Sequence, residues 1–228
     1  MDIIDEITRT HREVRDTGEA KVVELTRHYD TGLEDLWDAC TSAERISRWF
    51  LPITGDLRLG GSYQLKGNAG GEVLSCEPPN RFRVSWVMGE APASYVEVRL
   101  AADGDRTRFE LRHEAVVPPE FWEQFGPGSV GVGWDLGLLG LALHLTGGEK
   151  VDEEHFHETD EGREFIVRSS GSWGEAFRAS GASPELAAAV TAATTAFYAP
   201  PRGVTRCPRR SRRSSCSRAG RRKRSTST

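Results

Sequence analysis

The chain of 228 residues has little that could staple it covalently or through a metal: four cysteines, none spaced as CxxC or set with histidine as zinc ligands. A disulfide framework and a structural zinc site are therefore not expected. It has no Gly-x-Ser-x-Gly elbow, Cys/His pairing signature or phosphate-binding glycine loop, so no motif implies a cofactor or a covalent mechanism. The N-terminus, MDIIDE, has neither the basic start nor the long apolar run of a secretory signal, and cytoplasmic residence is the default expectation. The apolar stretch Val130 to Leu145 is 16 residues long, short of the ~20 that a membrane span needs. Acids are absent from residues 202–228, which carry ten Arg and Lys223. Residues 1–201 are left with 19 basic against 34 acidic residues, about −15. A body of that charge is a poor partner for nucleic acid.

What is present is periodicity. Ile3, Ile7 and Val14 fall at roughly helical spacing, so residues 2–15 read as a short amphipathic arm. VVELTRHY (22–29) reads as a strand, and Asp30-Thr31-Gly32 then opens a helix with Leu33, Leu36, Trp37 and Cys40 on one face. A second short helix from Ser42 runs into Trp49-Phe50 and stops at Pro52. From Asp56 the period becomes two: Leu57, Leu59, Tyr63 and Leu65 share a parity around Gly60-Gly61, read as a bulge. Turns at Gly70-Gly71 and Pro78-Pro79-Asn80 lead into EVLSC and RFRVSW, where Phe82, Val84 and Trp86 take the apolar face. YVEVRL and TRFELRH flank Asp103-Gly104-Asp105, a hairpin signal. Its inner parity holds Val96, Val98, Leu100, Phe109, Leu111 and one titratable side chain, His113.

VGVGWDLGLLGLALHL then carries two apolar helical stripes, one through Trp134, Leu138, Leu141 and Leu145, the other through Val132, Leu136, Leu139 and Leu143. Such a helix needs cover on both sides. The second cover could come from two later helices, WGEAFRAS with Ser172 and Glu175 at capping-box spacing and the Ala-rich segment opened by Ser183-Pro184. A homodimer through the long helix is the competing explanation.

The strings GLEDLWDACTSAERISRWF, GDLRLGGSYQL, GGEVLSCEPPNRFRVSW, TRFELRH and the Gly133-Trp134 helix start resemble, in order over roughly residues 20–146, the activator of Hsp90 ATPase homologue family. That family is a branch of the START-like, Bet v 1-like (SRPBCC) superfamily. The ending TTAFYAP looks like that of bacterial, especially actinobacterial, members. The resemblance implies an α+β helix-grip fold: a curved antiparallel sheet wrapped around a long C-terminal helix, with a cavity that often accepts an apolar ligand. On this reading the chain divides into an arm (1–19), a START-like domain (20–148), an acidic connection with a helical extension (149–201) and a disordered basic tail (202–228). Family members include lipid carriers, hormone receptors, polyketide cyclases and co-chaperones, so the fold leaves function open.

A cavity in such a fold would be lined by Trp49, Phe50, Tyr63, Trp86, Phe109, His113 and Trp134, aromatics suited to an apolar ligand or simply to filling a curved sheet. The leading expectation is a carrier of a small hydrophobic molecule without covalent chemistry. A cyclase or hydrolase-type enzyme with His113 as acid or base, and a protein-interaction or stress-response module related to Hsp90 activators, are the alternatives. The run from Glu149 to Glu164 has eight acids interleaved with His155 and His157; it reads as a solvated connection, with an HxH metal site as the sharper alternative. The basic tail could touch an anionic surface by charge alone, or be a GC-rich gene read out of frame.

Overall fold

The strict alternation in the two hairpin segments builds the centre of the sheet. β7 and β8 of the computed structural model, Ser94–Asp103 and Arg106–Ala115, pair along their whole length through Gly104 and Asp105. Gly104 takes φ +60° at the first central position of that tight turn, where a Cβ would be strained. The structure describes residues 2–152 and 155–201; Met1, 153, 154 and the tail 202–228 lie outside the described residues. The other strands are β1 (His11–Asp16), β2 (Lys21–Tyr29), β3 (Ile53–Gly55), β4 (Ser62–Leu65), β5 (Gly70–Glu77) and β6 (Arg81–Trp86). All eight form one antiparallel sheet in the order β1-β2-β8-β7-β6-β5-β4-β3. Its concave face presents Val23, Leu25, Val96, Val98, Phe109 and Leu111, all buried. Its outer face carries cross-strand ion pairs such as Arg81–Glu97 at 2.8 Å.

The helices are α1 (Asp5–Thr8), α2 (Leu33–Thr41), α3 (Ala43–Trp49), α4 (Pro119–Phe125), α5 (Gly128–Leu145), α6 (Asp160–Ala179) and α7 (Pro184–Tyr198). α5 lies in the concavity with Leu138 and Leu141 in the main core cluster, and α2 and α3 close one end. By length and composition α5 alone among the described helices could cross a membrane, but here it is the core helix. Its outer stripe is occupied within the chain. Val132 shares a cluster with Trp173 and Phe177 of α6, and Leu139 packs with Ile3, Ile7, Phe156 and Phe165. Much of that stripe is thus covered by the chain itself.

Three local readings are corrected. Residues 2–15 are not one helical arm: α1 is a single turn and β1 is an edge strand of the sheet. Arg12 and Val14 share β1's inner parity, with the Arg12 side chain only 5 % exposed, so a charge conceals the period of two. The segment 56–61 is a loop and not a bulged strand, and Leu59 is 66 % exposed. At Gly61 a Cβ would lie 2.2 Å from the Asp56 carbonyl oxygen, so the glycine pair closes a tight loop. The acidic connection is shorter than expected, because α6 starts at Asp160 instead of near Ser172. The Thr159 side chain caps it by accepting from the Gly162 N–H, and Asp160 and Glu161 sit at the positive end of its dipole. Phe165, Ile166, Trp173 and Phe177 give α6 its buried stripe.

Candidate functional site

The concave sheet, α5 and the α2–α3 corner line a cavity of about 150 Å³ that opens to the surface. That is about the volume that takes a benzene-sized guest. Trp49 and Phe50 reach it because α3 ends there: Phe50 is the C-cap, its φ −114° and ψ −120° turning the chain toward Pro52. Phe50 packs over the bare helix at Gly137, where a Cβ would sit 3.5 Å from its ring. Its carbonyl oxygen accepts from Lys150 Nζ, which ties the end of α3 to the chain after α5. Tyr63 of β4, Phe82 and Trp86 of β6, Phe109 of β8 and Trp134 of α5 complete the aromatic lining.

Five of these seven rings form a nearly continuous wall. Trp49 stacks on Phe50 (5.4 Å between centroids), Phe50 lies near-parallel to Trp134 (6.4 Å, 19°), and Trp134 meets Trp86 (5.1 Å), which meets Tyr63 (6.5 Å). Most of their polar atoms are engaged within the protein, whereas the Trp86 indole N–H has no hydrogen-bond partner among the described residues. Trp49 Nε1 donates to the Ala39 carbonyl (2.9 Å), Tyr63 Oη to that of Ser85 (2.8 Å), and Trp134 Nε1 to His113 Nδ1 (3.1 Å). Thr41, also on the wall, donates its hydroxyl to Trp37 O (2.8 Å). Burial pushes the Tyr63 hydroxyl well above its ordinary range and the Cys40 thiol up to about 12, so both stay protonated at neutral pH.

His113 stands apart from the seven aromatics. It is not a lining residue but sits behind Trp86 and Trp134, 6.2 and 5.7 Å from them by ring centroids. An indole N–H can only donate, so Nδ1 must accept and the ring is the neutral Nε2–H tautomer. Nε2 then donates to Ser94 Oγ (2.9 Å), and Ser94 donates to the Trp86 carbonyl (2.8 Å). Burial lowers its pKa to about 4. A neutral imidazole with both nitrogens committed, out of reach of the cavity, has no proton to exchange with a guest. Of the metal candidates, exposed His155 pairs through Nδ1 with Asp152 (2.9 Å), and His157 donates nothing to a cluster: among the described residues no three His, Cys, Asp or Glu side chains converge.

Sequence reading missed Cys76 and Gly137 as wall positions. Cys76 faces in with Val73, three residues earlier, because the β5–β6 register shifts between Val73 and Ser75; a bulge breaks the parity rule that would have found it. Gly137 contributes by lacking a side chain on the helix stripe that carries Trp134 and Leu138.

The family model of Activator of Hsp90 ATPase homolog 1-like protein matches residues 30–145, which spans the cavity from α2 to the end of α5. The chain belongs to that family. CalU16 from Micromonospora echinospora is 34 % identical, with 74 % of this chain and 98 % of that one covered by its crystal structure at a TM-score of 0.58. Its solution structure gives 0.62, covering 75 % and 97 %. The AHSA1-like chain described here also shares its fold with DynU16, a protein of the dynemicin biosynthetic locus (20 % identity, TM-score 0.51, 56 % of this chain and 48 % of that one). No curated protein matches. The fold is thus the α+β helix grip, and a role in ligand binding or of the cyclase type is what the family and its geometry fit.

Proposed function

We propose that this AHSA1-like protein binds a small apolar molecule of about one ring's bulk in the cavity and does no covalent chemistry on it. The observation that carries this reading is the state of the wall's polar atoms: the indole N–H groups of Trp49 and Trp134, the Tyr63 hydroxyl and the Thr41 hydroxyl all donate to protein acceptors, and the Trp86 indole N–H, with no partner among the described residues, is a neutral donor only. A guest would meet aromatic faces and aliphatic side chains, which reward apolar area at ~25 cal/mol per Å² and leave no anchor for a charged group. A cyclase would need a group able to take or give a proton inside the cavity. His113, the residue offered for that role, is behind the wall. The buried position of α5 and the free thiols of Cys40 and Cys76 support residence in the cytoplasm as part of the same proposal.

The test is titration of the purified chain with fluorobenzene, followed by ¹⁹F NMR. Saturable binding with perturbed indole N–H resonances is expected, along with protection against urea that grows with ligand concentration. No saturable shift, with native mass spectrometry of the chain from its own host also free of any small copurifying mass, would overturn it.

A further inference from the structure

Two of the seven wall aromatics, Trp86 and Trp134, are tied to the same residue outside the cavity. His113 of β8 accepts from the Trp134 indole at 3.1 Å, and through Ser94 it reaches the Trp86 carbonyl, in steps of 2.9 and 2.8 Å. We propose that His113 is a positioning residue for the ligand cavity, fixing the Trp134 indole against Trp86 so that the two rings hold the shape of the wall. The inference rests on the binding reading above and assigns part of the selectivity of that site to a residue that never touches the ligand.

The geometry supports it in three ways. Trp134 sits on α5 and Trp86 on β6, so no backbone hydrogen bonding sets one ring relative to the other; their 5.1 Å centroid separation must come from side-chain contacts. A tryptophan indole in an apolar wall can pivot about χ2 unless its N–H is claimed, and a buried N–H without an acceptor is costly enough to drive that pivot. His113 is held from both flanks, opposite Val23 on β2 and Val96 on β7, so its acceptor cannot follow a moving indole. The relay is also directional. Each group along Trp134, His113, Ser94 and the Trp86 carbonyl donates to the next, which only the neutral imidazole permits. The ring's partners are Ser94, Trp134 and Trp86, with Val23 and Val96 opposite it in the ladder, and no charged side chain forms a hydrogen bond with it.

An isosteric pair of variants separates this role from simple packing. In His113→Asn the amide oxygen lies where Nδ1 lies and keeps the bond from Trp134 while losing Ser94. In His113→Gln the amide reaches Ser94 but the acceptor for Trp134 is lost. Fluorobenzene affinity and hydrogen exchange of the Trp134 indole N–H would be measured on the full chain at neutral pH. The Asn variant is expected to bind within about threefold of wild type with the indole protected. The Gln variant should bind about tenfold more weakly, the worth of one well-made hydrogen bond, with fast indole exchange. Equal affinities in the two variants, with the indole protected in only one, would overturn the positioning role while leaving the binding reading intact. Failure of the wild-type chain to bind, its indole protected, overturns the binding reading and this inference with it. Should the Gln variant not fold, Ser94→Ala serves as the second arm: it loosens His113 on one side only and is expected to cost about threefold in affinity, with unchanged affinity and a labile indole counting against the role.

Discussion

At the scale of single residues, two glycines of α5 that look alike in sequence have opposite tolerances. Gly137 faces the cavity, and a Cβ there would meet only the Phe50 ring at 3.5 Å, an ordinary contact. Gly137→Ala is expected to stabilise the protein by about 1 kcal/mol from helix propensity, raising Tm by about 2–4 °C in calorimetry, while trimming the cavity. At Gly140 the Cβ would lie 2.4 Å from the Trp49 carbonyl oxygen, backbone that cannot yield without moving α3. Gly140→Ala is expected to lower stability by about 1–3 kcal/mol in the same measurement. His113 supplies a pH dependence. Its pKa of about 4 in the fold lies below the ~6.5 of an exposed imidazole, so between these values the unfolded chain binds a proton that the native one refuses. Stability from this group is complete above pH 6.5 and falls as pH drops toward 4, by roughly 3 kcal/mol. Urea unfolding at pH 7 and 4.5 should show the loss in the wild type and a smaller one in His113→Asn. Most of the aromatics now seen on the wall were legible because an aromatic on the inner parity of a curved sheet has few other places to go. His113 was placed on the correct face, yet its role was not legible, since the partner that claims Nδ1 lies on a different element 21 residues later.

Among the elements, α6 carries the largest difference between sequence pattern and structure. Its N-terminal half, DEGREFIVRSSG, is polar enough to pass for a loop, and only Phe165 and Ile166 mark the buried stripe. What makes it helical is tertiary: Ser169 and Trp173 both donate to Asp135 of α5, at 2.5 and 3.0 Å, and Arg12 of β1 closes on the same carboxylate with two bonds at 3.1 and 3.0 Å. Burial pushes the Asp135 carboxyl upward, with Arg12 opposing. Gly131 brings α5 and α6 close enough for this, since a Cβ there would fall 2.2 Å from the Trp173 ring. Removing the charge on one side leaves the buried guanidinium of Arg12 alone, and Asp135→Asn is expected to cost about 3–5 kcal/mol in urea denaturation. The paired change Arg12→Met with Asp135→Leu should lose much less. β1 was concealed by the same interaction: an arginine on the inner parity reads as solvent-facing until its carboxylate partner is known.

For the whole molecule, the order of strands and the long helix was legible from alternation and turn chemistry between residues 22 and 145, and that order describes a sheet curled around a helix; the helix-grip architecture was what the family resemblance implied. The wrapping of α5 by both ends of the chain was less so, because α1, β1 and α6 each lack a strong local signal and gain their structure from the surface they cover. The extension is therefore part of the fold and not an appendage. A chain ended after Gly148 would expose Val132 and Leu139, which are 0 % and 1 % exposed in the structure, and would strip Asp135 of its α6 donors. Such a truncation is expected to be insoluble or to expose dye-binding apolar surface, whereas one ended after Pro201 should unfold cooperatively; size-exclusion chromatography and dye binding compare the two.

The bidentate contact between Arg12 and Asp135 spans 123 residues of chain. On a ribosome adding 5–20 residues per second, about 6–25 s pass between synthesis of the two halves of that pair. β2 also waits for β8, its partner in the middle of the sheet, whose pairing residues lie 78 to 94 positions later. The first strands made are thus the last to be completed, which puts the protein among slow, non-local folders and leaves its nascent N-terminal third, with Val22, Val23 and Leu25 uncovered, as the segment that a holding chaperone would meet first.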